Sequence, residues 1–148
     1  MVLEYLEPTS SPLGKSSKIT LDGKNDWFIQ TPKGVICSID KDKLEIEFET
    51  LDNNYKGFQG FMKSIGIKNR EWKNKINQTS KHKEKNQKLT LFECIITKDT
   101  EYYNSDKCIH DNKLIPGQCV ILVITTPCVW ISKKNFGNTW EIKQLMKV

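Results

Sequence analysis

The stretch from Cys119 to Val148 constrains the fold more than any other part of the chain. Val120 to Ile124 is an unbroken apolar run rich in β-branched residues, too short for a buried helix and suited to an interior strand. After a break at Thr125-Thr126-Pro127 comes a second apolar segment, Cys128-Val129-Trp130-Ile131, and Lys133 to Asn138 supply a polar turn. Beyond it, Trp140, Ile142, Gln144, Met146 and Val148 fall on one face of a strand, with Thr139, Glu141, Lys143 and Lys147 on the other. This pattern predicts the closing hairpin of a β core.

The remaining segments add strands around one helical piece. Leu44, Ile46 and Phe48 alternate with Glu45, Glu47 and Glu49, as in a half-buried strand with its carboxylates in water. Such a face repels phosphate, so a polyanion groove belongs elsewhere. Trp27 to Gly34 starts as a strand and is broken at Pro32, which cannot donate to a ladder. Val35 to Ile39 then resumes, and a bent first strand is one way to curl a small barrel. Tyr55 to Gln78 has helical periodicity at Phe58, Phe61, Met62 and Ile65. Gly66 interrupts it, and a second amphipathic piece places Trp72 and Ile76 among Lys68, Arg70, Lys73 and Lys75. Residues 79–87 read as an exposed loop. Lys88–Thr97 and Glu101–Tyr103 return to strand.

Residues 1–18, with Pro8, Pro12, Gly14 and several serines, read as an extended N-terminal arm with enough apolar side chains to dock. Residues 19–148 then form one domain. The chain has 148 residues and 37% hydrophobic content, enough for one real core and too little for two. The expected class is mainly β with a helical insertion, an OB-fold-like five- to seven-stranded barrel with its helix between the third and fourth strands.

Charge is uneven. The net charge is +5, yet Lys68 to Lys88 alone holds eight basic residues and two acids. Local positive charge of this kind points to a polyanion, most simply nucleic acid. Five cysteines with no C-x-x-C pair predict reduced thiols in an intracellular setting. No secretory leader or membrane span is expected.

The motifs of catalysis are missing: there is no phosphate loop, no G-x-G-x-x-G and no G-x-S-x-G. Cys108-x-His110 offers two zinc ligands without a second pair. Asp40-x-Asp42 and Asp99-x-Glu101 look like turn acids rather than a nuclease centre. No metal, cofactor or bond-breaking chemistry is therefore expected. What is present is basic and aromatic, the two ingredients that hold single strands: cations along the phosphates and flat faces under unpaired bases. The candidate binding residues are Lys68, Arg70, Lys73, Lys75, Lys81, Lys83 and Lys85 of the basic segment, Lys133, Lys134 and Phe136 of the turn, and Tyr102 and Trp72 as further aromatics. Trp130 and Trp140 lie on strand faces and read as core.

Pro116-Gly117-Gln118-Cys119-Val120, then Val129 to Trp140, then Gln144, resembles the closing hairpin of the OB-fold single-stranded DNA-binding proteins of large nucleocytoplasmic DNA viruses, which are related to the phage replicative type. Phe28 to Pro32 and the Trp72 helix resemble other parts of that pattern. The resemblance implies an OB fold, sequence-independent binding of single-stranded DNA, with RNA as the alternative, and a role in viral replication, recombination or repair. It implies viral replication proteins as partners, no membrane, and a place in the host cytoplasm or nucleus. The short chain implies a minimal groove or one completed by a second subunit. Phage-type relatives carry an acidic tail that contacts partners; the residues up to Lys147-Val148 contain none, which argues against recruitment by that route. The competing expectation is a viral interaction module that binds protein through an OB-like barrel.

Overall fold

A computed structural model describes residues 2–76, 82–85, 89–104, 107–109 and 113–148. In chain order the elements are β1 (Leu3–Tyr5), β2 (Thr9–Ser11), β3 (Gly14–Leu21), β4 (Ile29–Gln30), β5 (Gly34–Asp40), β6 (Lys43–Phe48), α1 (Tyr55–Ile76), β7 (Lys83–Glu84), β8 (Phe92–Asn104), β9 (Lys107–Ile109), β10 (Cys119–Thr125), β11 (Cys128–Ile131), β12 (Asn135–Asn138) and β13 (Glu141–Lys147). They gather into two units, each drawn from three separate stretches. Phe28–Gly60, Gln87–Thr125 and Trp140–Val148 make a barrel; Met1–Trp27, Phe61–Asn86 and Thr126–Thr139 make a companion unit.

The barrel closes through five strands. β5 pairs with β6 and β6 with β8, both antiparallel. β8 runs parallel to β13, and β10 is antiparallel to both β13 and β5, which completes the ring. Numbered along the chain, the strands follow one another around the barrel as 1-2-3-5-4, the order of an OB fold. The helix enters between the second and third barrel strands, not the third and fourth. The reason is that β3 pairs with β11 in the other sheet and is not a barrel strand.

Local chemistry explains the curl. β4 and β5 both pair with β10, one on each side of Pro32. Across that break, the Thr31 amide donates to the Leu122 carbonyl at 2.8 Å and the Thr31 hydroxyl accepts from the Leu122 amide at 3.0 Å. The ladder thus survives the residue that cannot donate. A second irregularity corrects the expected facing of the last strand. Between Ile142 and Gln144 the register slips, leaving Lys143 as an extra residue in β13. One extra residue inverts the alternation beyond it. Trp140, Ile142 and Leu145 are therefore buried, while Gln144 and Met146 are only half-buried. The alternation in β6 holds as expected, with Leu44, Ile46 and Phe48 inside. Phe48, Phe58, Phe92 and Trp140 form a chain of edge-on and tilted ring contacts, with centroids 5.0 to 6.1 Å apart. That geometry suits aromatic quadrupoles better than a face-to-face stack.

In the companion unit the sheet order is β1-β3-β11-β12-β7, with β2 also on β3. Residues 2–18 do not stand apart as an arm: they supply β1, β2 and the first part of β3, and Lys15 to Lys18 pair with β11. A turn at Pro12-Leu13 folds β2 onto β3. Gly14 is required there, because its φ is +142° and a Cβ would lie 1.9 Å from the Ile131 carbonyl oxygen.

α1 is one continuous helix, and Gly66 does not break it. Its first turns, with Phe58, belong to the barrel unit, and the rest belongs to the companion unit. There the buried stripe is Phe61, Ile65, Asn69 and Trp72. Asn69 joins a buried chain of hydrogen bonds. The Tyr5 hydroxyl donates to Asn69 Oδ1, Asn69 Nδ2 to Asn138 Oδ1 at 2.8 Å, and Asn138 Nδ2 to Thr126 Oγ1 at 3.0 Å. Thr126 Oγ1 ends the chain on the Thr139 carbonyl at 2.8 Å. Burial, reinforced by the Glu71 carboxylate, raises the Tyr5 phenol well above its ordinary pKa, so it stays a donor.

Candidate nucleic-acid interface

Charge divides between the two units. The companion unit holds thirteen basic and six acidic residues, a formal +7; the barrel holds ten and twelve, a formal −2. OB barrels commonly take oligonucleotides on the face of their second and third strands. In this barrel that face is acidic. Glu45 lies directly opposite Glu93 in the β6–β8 register, and Glu47 points outward beside them. Lys43 reaches Glu93 at 3.6 Å, and the Ser38 hydroxyl donates to Glu45. Phosphate is repelled there, as the spacing of the glutamates predicts.

The β11–β12 hairpin is the excursion between the fourth and fifth barrel strands, a position that OB proteins also use for nucleic acid. Its turn exposes Lys133 and Lys134. β7 lies parallel to β12, with the Lys83 amide donating to the Lys134 carbonyl at 2.8 Å and the Lys85 amide to the Phe136 carbonyl at 2.9 Å. Lys83 and Lys85 are exposed. On α1, Lys68 and Lys75 are exposed seven residues apart, on one stripe with Glu71. The structure therefore brings the basic helix, β7 and the hairpin turn into one unit.

Other expected binding residues are placed differently. Trp72 is buried, with Nε1 donating to Ser17 Oγ at 2.8 Å. Phe136 is a strand residue, not a turn residue, and is also buried; Lys73 Nζ lies 6.0 Å from its ring centroid. Neither ring offers a face to a base, because apolar surface on a strand or helix stripe is drawn to the core first. Arg70 forms an ion pair with Glu84, its Nη1 3.0 and 3.3 Å from the two carboxylate oxygens, so its charge is largely answered within the chain. Tyr102 belongs to the barrel, half-buried on β8, and burial together with Asp42 raises its phenol pKa. Lys81 and His110 lie outside the described residues.

Three features of the companion unit were not legible as site residues. A cleft of about 410 Å³ lies where the β2–β3 turn meets the end of α1 and the β11–β12 turn, lined by Leu13, Lys15, Ile76, His82, Ile131 and Lys133. Lys15 carries no site signal in the sequence, because residues 1–18 read as an arm. Trp130 is half-buried on the sheet surface, not sealed in the core.

No protein-family model matches the chain, and no curated protein sequence does. The fold is similar to that of the solved structure of gp2.5, a single-stranded DNA binding protein encoded by bacteriophage T7. The TM-score is 0.59 at 9% identity, covering 84% of this chain and 93% of that one. The likeness is one of fold.

Among the described residues no three His, Cys, Asp or Glu side chains gather into a metal site. Cys37, Cys94, Cys119 and Cys128 form no disulfide, and burial pushes the Cys94 thiol far above its ordinary pKa. Among the described residues no helix is long and apolar enough to cross a membrane.

Proposed function

We propose that this protein binds single-stranded DNA without reading its sequence, acts in viral DNA replication, recombination or repair inside the host cell, and cuts no bonds. The segregation of charge carries the reading. A formal +7 sits on the unit that holds the β11–β12 hairpin, while the barrel face most used by OB proteins is acidic. A polyanion is drawn to the first and repelled by the second. The fold likeness to a phage single-stranded DNA-binding protein supports the reading. Sequence independence follows from lysines, which contact phosphate as point charges and carry no base code.

Titration of labelled oligo-dT at two salt concentrations tests this. Log affinity should fall with log salt at about 0.7 per neutralised phosphate. Undetectable or salt-insensitive binding overturns it. Replacing oligo-dT with oligo-U decides between DNA and RNA, and mass in solution with and without oligonucleotide decides whether a second subunit completes the groove. The second reading, a viral structural or interaction module that binds protein through its OB-like barrel, is favoured by Val35 and Ile39, exposed apolar side chains on β5 beside the glutamates of β6.

A further inference from the structure

The outer surface of the companion sheet carries a feature that the lysines do not explain. In the sheet register Trp130 lies between Ser16 of β3 and Gly137 of β12. Both register partners are small, so neither puts a bulky side chain directly opposite the indole. The alternate residues Val129 and Ile131 are buried, and Ser17, the partner of Val129, holds Trp72 of the helix. The helix therefore covers the opposite side of the sheet, and Trp130 faces away from it. Its Nε1 donates a long hydrogen bond to Thr139 Oγ1, at 3.4 Å. The other three indoles are buried.

Cations and a hollow continue from the indole along the same surface. Lys18 and Cys128 form the next same-face pair, about 6.6 Å along the strands. Lys18 is exposed, and with Glu7, Thr9, Ser16, Asn25 and Pro127 it lines a concavity of about 560 Å³, so one cation and one carboxylate share its rim. On the other side, Lys85 lies against Gly137. A flat aromatic face flanked by lysines is what an unpaired, phosphate-linked base requires.

We propose that Trp130 is a stacking platform for one base of bound single-stranded DNA, with the neighbouring nucleotide in the Lys18 hollow. This rests on the proposed function and assigns it a contact surface. Every base has a π-face, so such a site adds affinity without adding sequence preference.

The test uses intrinsic fluorescence and labelled dT20 on the full chain. Wild-type emission should be quenched on addition of dT20, and Trp130→Phe should lose that quenching, since the remaining indoles are buried. Trp130→Ala should weaken binding about five- to a hundredfold, the range of one base–aromatic stack, with an unchanged salt slope. Trp130→Phe should weaken it less. Circular dichroism checks that both variants keep the fold, and the wild-type quenching needs no variant at all. If wild type binds dT20 with no change in emission, or if Trp130→Ala binds as wild type does, the platform is overturned while the binding function stands. If wild type does not bind dT20 at any salt, the function itself is overturned and the platform with it.

Discussion

Asn69 occupies a position on α1 where the helical stripe of Phe61, Ile65 and Trp72 calls for an apolar side chain. Its amide is used at both ends, accepting from Tyr5 and donating to Asn138. Asn69→Ala would strand Asn138 Oδ1 in the interior, at about 1–3 kcal/mol for a buried group left unpaired, and leave the half-buried Tyr5 hydroxyl only the Ile65 carbonyl, at 3.5 Å. Urea unfolding should show that loss. A double-mutant cycle with Asn138→Ala should give a coupling of about 0.5–3 kcal/mol; simple additivity would show that the two amides do not act as one chain. A polar residue inside an apolar stripe is a visible signal in sequence, but its partners, Tyr5 and Asn138, lie 64 and 69 positions away. Residue type does not settle the placement of the aromatics, for a related reason. Trp72, Phe136 and Trp130 look alike as residue types, and only the strands and helix laid over each decide which keeps an open face.

Among the elements, two glycines separate what the helix and the hairpin need. Gly66 sits mid-helix, and an added Cβ would meet nothing nearer than the flexible Arg70 guanidinium at 3.7 Å. Gly66→Ala should therefore stabilise the protein by up to about 1 kcal/mol through helix propensity and a less free unfolded chain. Gly14→Ala should do the opposite, because the new Cβ would collide with the Ile131 carbonyl and lift the β2–β3 turn off β11. Thermal melts should shift in opposite directions. A lower melting temperature for Gly66→Ala would contradict a continuous helix at that point. The alternation in β6 was readable in full because it depends only on neighbours two apart. The facing of β13 was readable only as far as Ile142, because the bulge at Lys143 is set by pairing with β10 and β8.

The distribution of charge over the whole molecule carries the functional argument, and it can be tested by neutralising each unit in turn. Lys133→Gln with Lys134→Gln should lower the magnitude of the log affinity–log salt slope by about 1.4, two phosphates at 0.7 each. Glu45→Gln with Glu47→Gln on the barrel should leave that slope unchanged. The converse result would move the interface to the β6–β8 face. The sequence by itself determined the β class, the helical insertion, the acidic strand and the concentration of lysines between Lys68 and Lys88, since each follows from composition or short-range periodicity. Tertiary structure alone decided that Lys15–Lys18 join β11, that β3 is left out of the barrel, that Trp72 and Phe136 are buried, and that Trp130 faces outward. Those outcomes depend on which strands meet across the fold, and hydrogen bonds between distant segments leave no periodic trace along the chain.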